Sequence, residues 1–235
     1  MTGHRRTRIY LLPGLDGTAR LLGHFVAKCP PEFEPVPIAY PPDRVLDYDS
    51  LADVVGAKIA GDVPMILLGE SFGGPLALRL ASSKPKNLIG VVLVATFVMP
   101  PARSFWRLLP WGLGCRMRAP VYVIRVALAG RTASGELLRR ASDVVREVNA
   151  DVLAARVRSV LSVDAREWLK NCPWPILYLA GKQDRLVKAR SFEAINEIRP
   201  DVVHREIDAP HFVLQIAPAE AWRAIGDFVA ETVRS

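Results

Sequence analysis

Cysteine is nearly absent from this chain. Three residues in 235, Cys29, Cys115 and Cys172, stand far apart and form no Cys-x-x-Cys pair. An odd, scattered set builds neither a disulfide framework nor a zinc site, so buried thiols in a reducing compartment are expected. Long apolar runs are absent too, and none approaches the ~18 residues of a membrane span. The basic start, Met1 to Arg8, leads into an apolar run, Ile9 to Leu12, that stops at Pro13. That run is too short for the core of a signal peptide. These absences point to a soluble cytoplasmic protein with no stable membrane insertion. Acidic residues are short in one place only. Between Pro101 and Lys170 there are 13 Lys/Arg, 12 of them Arg, against 6 Asp/Glu, and the rest of the chain balances at 18 of each sign. One segment therefore carries the whole net charge of +7. No nucleic-acid-binding motif accompanies it, so no nucleic-acid partner is expected.

What is present is hydrophobic patterning, at 50% of residues. It suits one domain, or one domain carrying an insertion. Short apolar runs at Arg8–Leu12, Val36–Tyr40, Pro64–Leu68, Ile89–Ala95, Ile176–Ala180 and Val202–Ile207 read as strands. Helical spacing lies between them, after Thr18, over Ser50–Ala60 with Ser50 as cap, over Ala189–Ile198 and over Pro218–Val233. Alternation of this kind predicts an α/β fold, a mostly parallel sheet of about six strands between helices. The stretch 97–170 breaks it. Its first half is apolar but interrupted by Pro110, Gly112, Gly114 and Pro120, and its second half reads as two helices, Glu136–Val148 and Asp151–Val163. The expected organisation is a core of 1–96 and 171–235 with an Arg-rich helical cap, 97–170, inserted in it.

The third strand runs into Gly69-Glu70-Ser71-Phe72-Gly73, and a helix-compatible segment follows. Strand, sharp turn and helix with a serine at the tip describe a nucleophile elbow. Serine is a weak nucleophile and needs a base. Of four histidines, His4 lies in the tail, His24 in an early helix and His204 within a strand. His211 follows the last strand, on the sheet edge that presents Ser71. For the carboxylate that orients this base, Asp184 follows the fifth strand on the same edge. Asp208 and Asp164 are the rivals, the first close enough to His211 to shape its loop instead. The oxyanion needs N–H donors. Phe72 follows the nucleophile, and Leu15 lies in the turn Pro13-Gly14-Leu15 after the first strand. Asp16 is expected to turn away and hydrogen-bond the loop or cap the next helix.

Together these motifs resemble the α/β-hydrolase family over essentially the whole chain, in the family's order of Ser71, Asp184, His211. The resemblance implies a three-layer fold, Ser71 as nucleophile, His211 as base, Asp184 as acid and no metal or organic cofactor. The chain departs from the family in two ways. Pro13-Gly14 replaces the usual His-Gly, and a sheet without the family's first two strands is expected, since the first apolar run starts at Arg8. Residues 149–187, with Val163-Asp164-Ala165-Arg166 and Gly181…Asp184, resemble the esterases that demethylate the pimeloyl-acyl-carrier-protein methyl ester. That implies a small acyl ester as substrate, carried by an acidic acyl carrier protein that meets Arg139, Arg140, Arg146, Arg156 and Arg158. The alternative for these arginines is a solvated face of amphipathic helices. Apolar cap residues from Phe105 to Ile124 are expected to line an acyl pocket. The expected activity is ester cleavage through an acyl-enzyme. A thioesterase or acyltransferase with the same triad, and a non-catalytic binding module on the same fold, stay as alternatives.

Overall fold

The sheet has six parallel strands, five of them on apolar runs expected from the sequence. The structure, a computed structural model, describes residues 6–59, 63–101 and 134–233. The strands are β1 (Thr7–Leu12), β2 (Phe33–Pro37), β3 (Met65–Glu70), β4 (Leu88–Val94), β5 (Ile176–Gly181) and β6 (Val203–Ile207). They form one sheet in the order β2-β1-β3-β4-β5-β6. Because side chains alternate across a sheet, each central strand feeds two cores. Tyr10, Leu12, Leu67, Val91, Leu93 and Tyr178 face one apolar layer, and Ile9, Leu11, Ile66, Leu68, Val92, Val94 and Leu179 the other. Burial on both faces explains why these strands read as unbroken apolar runs.

Helices α1 (Gly23–Ala27), α2 (Tyr48–Gly56) and α3 (Gly73–Ser82) lie in the first half of the chain. The second half holds α4 (Gly135–Glu147), α5 (Ala150–Ser162), α6 (Arg166–Lys170), α7 (Ala189–Ile198), α8 (Val213–Ile216) and α9 (Pro218–Phe228). Residues of α2, α3, α6 and α7 fill one core layer, and residues of α1, α8 and α9 the other, where Trp222 stacks on Phe25 at 4.3 Å. The three-layer α/β expectation holds.

Two elements differ from the sequence expectation. The second strand is Phe33–Pro37, not Val36–Tyr40. It is an edge strand, and Ile38 N–H points inward to Leu11 O at 3.0 Å. Pro35 and Pro37, at alternate positions, therefore turn their missing N–H groups to the open edge, where none is needed. Tyr40 leaves the sheet and is buried against Phe72. The second helix begins earlier than Ser50. Asp47 is its N-cap and accepts from Ser50 N–H at 2.8 Å, bonds that hold its carboxyl below the usual range.

Within the segment 97–170, the described residues are 97–101 and 134–170, which include α4, α5 and α6. Its two ends meet, since Ala165 N–H donates to Val98 O at 2.8 Å. Val163, Ala165 and Leu169 are buried in the same layer as α2 and α3. The residues expected to form an acyl pocket, Phe105 to Ile124, lie outside the described residues. Among the described residues, no helix is long and apolar enough to cross a membrane.

Candidate active site

The site is assembled at the carboxyl edge of the sheet, where the loops after β1, β3, β4, β5 and β6 converge. Between β3 and α3 the chain reverses so tightly that Ser71 takes φ 51°. That left-handed conformation costs a non-glycine residue roughly 1–2 kcal/mol. The turn is possible because its flanks lack side chains. A Cβ on Gly69 would overlap the Gly73 carbonyl, and one on Gly73 would overlap Leu12 O. Ser71 N–H donates to Val94 O at 2.9 Å, and Ser71 O accepts from Thr96 Oγ1 at 2.6 Å and Gly74 N–H at 3.0 Å. The Ser71–Phe72 peptide is thereby fixed with its carbonyl in the protein and its N–H facing the opposite way.

His211 brings its ring to this serine. Its Nε2 lies 3.0 Å from Ser71 Oγ, and its Nδ1 lies 2.7 Å from Asp184 Oδ2. The ring is only 4% exposed. Asp184 is anchored by its other oxygen, which accepts from Leu186 N–H at 2.8 Å and Val187 N–H at 2.9 Å. The loops that carry the two residues are stitched together through Lys182 N–H to Ile207 O at 2.9 Å and Gln183 N–H to Ala209 O at 3.0 Å. The rival carboxylates are engaged elsewhere. Asp208 accepts from Gln183 Nε2 at 2.8 Å, and Asp164 is forked by Arg166 at 2.8 and 2.6 Å. His204 stacks on Phe192 at 3.9 Å, and His24 Nδ1 lies 3.5 Å from Gln215 O.

The turn after β1 sits against the serine, with the position a Cβ would take on Gly14 3.8 Å from Ser71 Cβ. Gly14 O accepts from Gly17 N–H at 3.0 Å, which aims the Leu15 N–H of the same peptide the other way. Among the described residues, neither Leu15 N–H nor Phe72 N–H donates to the protein. Asp16 does turn away as expected. Its carboxylate accepts from Thr18 N–H at 2.9 Å and Thr18 Oγ1 at 2.7 Å, while burial pushes its pKa up.

The five arginines separate. Arg139, Arg140, Arg146 and Arg158 are exposed, and Arg140 pairs with Glu136 at 3.1 Å. Arg156 is different, being 4% exposed and so out of reach of a docking partner. Its Nη1 donates to Leu15 O at 2.9 Å and Asp16 O at 2.8 Å, and its Nη2 donates to Pro41 O at 3.0 Å. Its guanidinium lies over the Tyr40 ring, 5.5 Å from the centroid, and Tyr40 OH donates to Pro13 O at 3.0 Å. Together Arg156 and Tyr40 grip the carbonyls of Pro13, Leu15 and Asp16. The sequence did hold a signal for this. Arg156 stands one helical turn from both Val152 and Val160, inside the apolar stripe rather than opposite it. Thr96 and Gln215 carried no such signal.

A serine hydroxyl, an imidazole and a carboxylate in one hydrogen-bonded line, beside two unengaged backbone N–H groups, can support nucleophilic attack on a carbonyl. Among the described residues, no group of three or more His, Cys, Asp or Glu could hold a metal ion. The family described as serine aminopeptidase, S33, matches residues 41–207. The chain is 26% identical to the polyketide synthase ThaQ of Burkholderia thailandensis over 261 residues, covering 100% of this chain and 12% of that one. It is 29% identical to the pimeloyl-[acyl-carrier protein] methyl ester esterase of Xylella fastidiosa over 163 residues, 64% of either chain. The chain thus spans less than two thirds of the length of either relative. Among solved structures, the enol-lactonase of Burkholderia xenovorans superposes with a TM-score of 0.81 at 18% identity, over 97% of this chain and 92% of that one. Fold, strand order and family match agree: the chain is a member of the α/β-hydrolase superfamily, in the serine aminopeptidase S33 family.

Proposed function

We propose that this protein is a serine hydrolase that cleaves carboxylic esters through an acyl-enzyme on Ser71. The observation that carries this reading is the line from Ser71 Oγ to His211 Nε2 at 3.0 Å and from His211 Nδ1 to Asp184 Oδ2 at 2.7 Å. His211 takes the serine proton as Ser71 attacks the substrate carbonyl. Asp184 holds the ring in the reactive tautomer and stabilises the imidazolium. The N–H groups of Leu15 and Phe72 receive the oxyanion. His211 then protonates the leaving alcohol and activates the water that releases the acid.

The segment 97–170 acts as a cap on a core of 1–96 and 171–235, and the enzyme works in the cytoplasm. Its substrate is the methyl ester of a pimeloyl chain on an acidic carrier protein, which meets Arg139, Arg140, Arg146 and Arg158. Similarity to the Xylella esterase and the exposure of these four arginines support this choice. A second reading, thioester cleavage or acyl transfer by the same residues, draws on the whole-chain similarity to a segment of a polyketide synthase.

A panel of methyl esters and thioesters of increasing acyl length, free and carrier-bound, separates the two when run on wild type and Ser71→Ala. The ester reading expects methyl esters to turn over faster than thioesters, all of it lost in Ser71→Ala. Reversing the charge of the four exposed arginines should raise KM for carrier-bound substrate only. Preference for thioesters selects the second reading, and turnover that survives in Ser71→Ala defeats both.

A further inference from the structure

Glu70 is an ionisable group that the reaction above leaves unused. It ends β3, one residue before Ser71, and is 6% exposed. Its Oε2 accepts from Nε2 of Gln215 at 3.2 Å. Gln215 is equally buried and lies in α8, four residues after His211. The remaining oxygens of the same two groups, Glu70 Oε1 and Gln215 Oε1, are both buried and neither has a hydrogen-bond partner. Two acceptors without donors, at two ends of one hydrogen-bonded pair, are a costly arrangement for an ionised carboxylate. A proton on Glu70 Oε1 would supply the missing donor, and the Gln215 carbonyl is the unpartnered acceptor of the same pair. The charged groups facing Glu70 divide. His211, on the loop after β6, favours the anion, while Asp16, on the loop after β1, opposes it. Burial is the largest influence and pushes the carboxyl up to about 7.

We propose that Glu70 is held as the neutral acid and pairs reciprocally with Gln215, a clamp that ties the strand end carrying Ser71 to the helix following His211. Glu70 is a positioning residue in this scheme, and its effect on turnover rests on the reading of Ser71 and His211 as the reacting pair. Ionisation removes the O–H donor and sets two acceptors against each other in the interior. The clamp is therefore closed in acid and loosens as pH passes about 7.

Glu70→Gln tests this, since an amide keeps both hydrogen bonds and cannot ionise. The native carboxyl stands above its ordinary 4.5, so its contribution to stability is complete below 4.5 and lost as pH rises to about 7. The Tm of Glu70→Gln minus that of wild type should grow steadily across that window. Glu70→Leu, which can make neither bond, should be less stable than Glu70→Gln at every pH. In the kcat–pH profile, wild type should show a limb near pH 7 on which kcat falls as pH rises, and Glu70→Gln should lack that falling limb, with KM unmoved. A Tm difference that is flat or falls with pH would overturn the neutral pair. A falling limb that persists unchanged in Glu70→Gln would overturn the positioning role. If Glu70→Gln does not fold, the infrared spectrum of wild type decides. A protonated-carboxyl band that fades as pH passes about 7 supports the clamp, and its absence in acid refutes it. The Tm and infrared arms need no turnover, so failure of the ester reading leaves them standing.

Discussion

Replacing Arg156 by Met removes three hydrogen bonds at once while keeping most of the side chain's apolar stem. The carbonyls of Leu15, Asp16 and Pro41 lose a charged donor. A bond to a charged group contributes about 1.5–3 kcal/mol, and a buried carbonyl left alone costs about 1–3 kcal/mol. Two effects offset this. The guanidinium no longer has to be desolvated, a burden seen in its lowered pKa, and water can reach the half-buried Leu15 and Pro41. The net expectation is a loss of roughly 2–4 kcal/mol, read by urea denaturation. The loop that loosens also carries Leu15 N–H, so kcat for ester hydrolysis should fall by up to about 10²–10³, the effect of losing one oxyanion donor, with a smaller change in KM. Arg156→Lys should fall between, because one ammonium cannot span three carbonyls in the same geometry. An unchanged urea midpoint together with unchanged kcat in Arg156→Met would refute the idea that this arginine holds the turn.

Asp184→Asn should lower kcat by about 10⁴, as in the serine-protease precedent, because the tautomer of His211 would be wrong. Asp208→Asn should leave kcat near wild type, since its partner is Gln183. Asp47→Ala should cost about 1 kcal/mol in thermal unfolding through loss of the α2 cap, with no change in turnover.

How much the sequence disclosed follows from where each signal originates. Strands β1, β3, β4 and β5 were legible because burial on both faces makes an apolar run with no polar interruption. The edge strand β2 was misplaced because one side of it answers to solvent and two prolines blur its pattern. Helix α8 left no signal in the sequence because four residues are too few to show a period. Ser71, Asp184 and His211 could be grouped in advance, since loops after parallel strands share one edge whatever their separation in the chain. Arg156 could not be placed that way. Arginine in an amphipathic helix reads as solvated, and its burial depends on three carbonyls more than a hundred residues away. The Glu70–Gln215 pair spans 145 residues and has no local pattern at all.

The central claim is that Ser71 is an activated nucleophile, and reaction with a fluorophosphonate probe tests it most directly. Folded wild type should be labelled rapidly, with the adduct on the peptide carrying Ser71. Labelling should disappear in Ser71→Ala and fall steeply in His211→Ala. Folded wild type that resists the probe, or an adduct formed equally fast without His211, would contradict the account and leave this chain a hydrolase fold that binds rather than reacts.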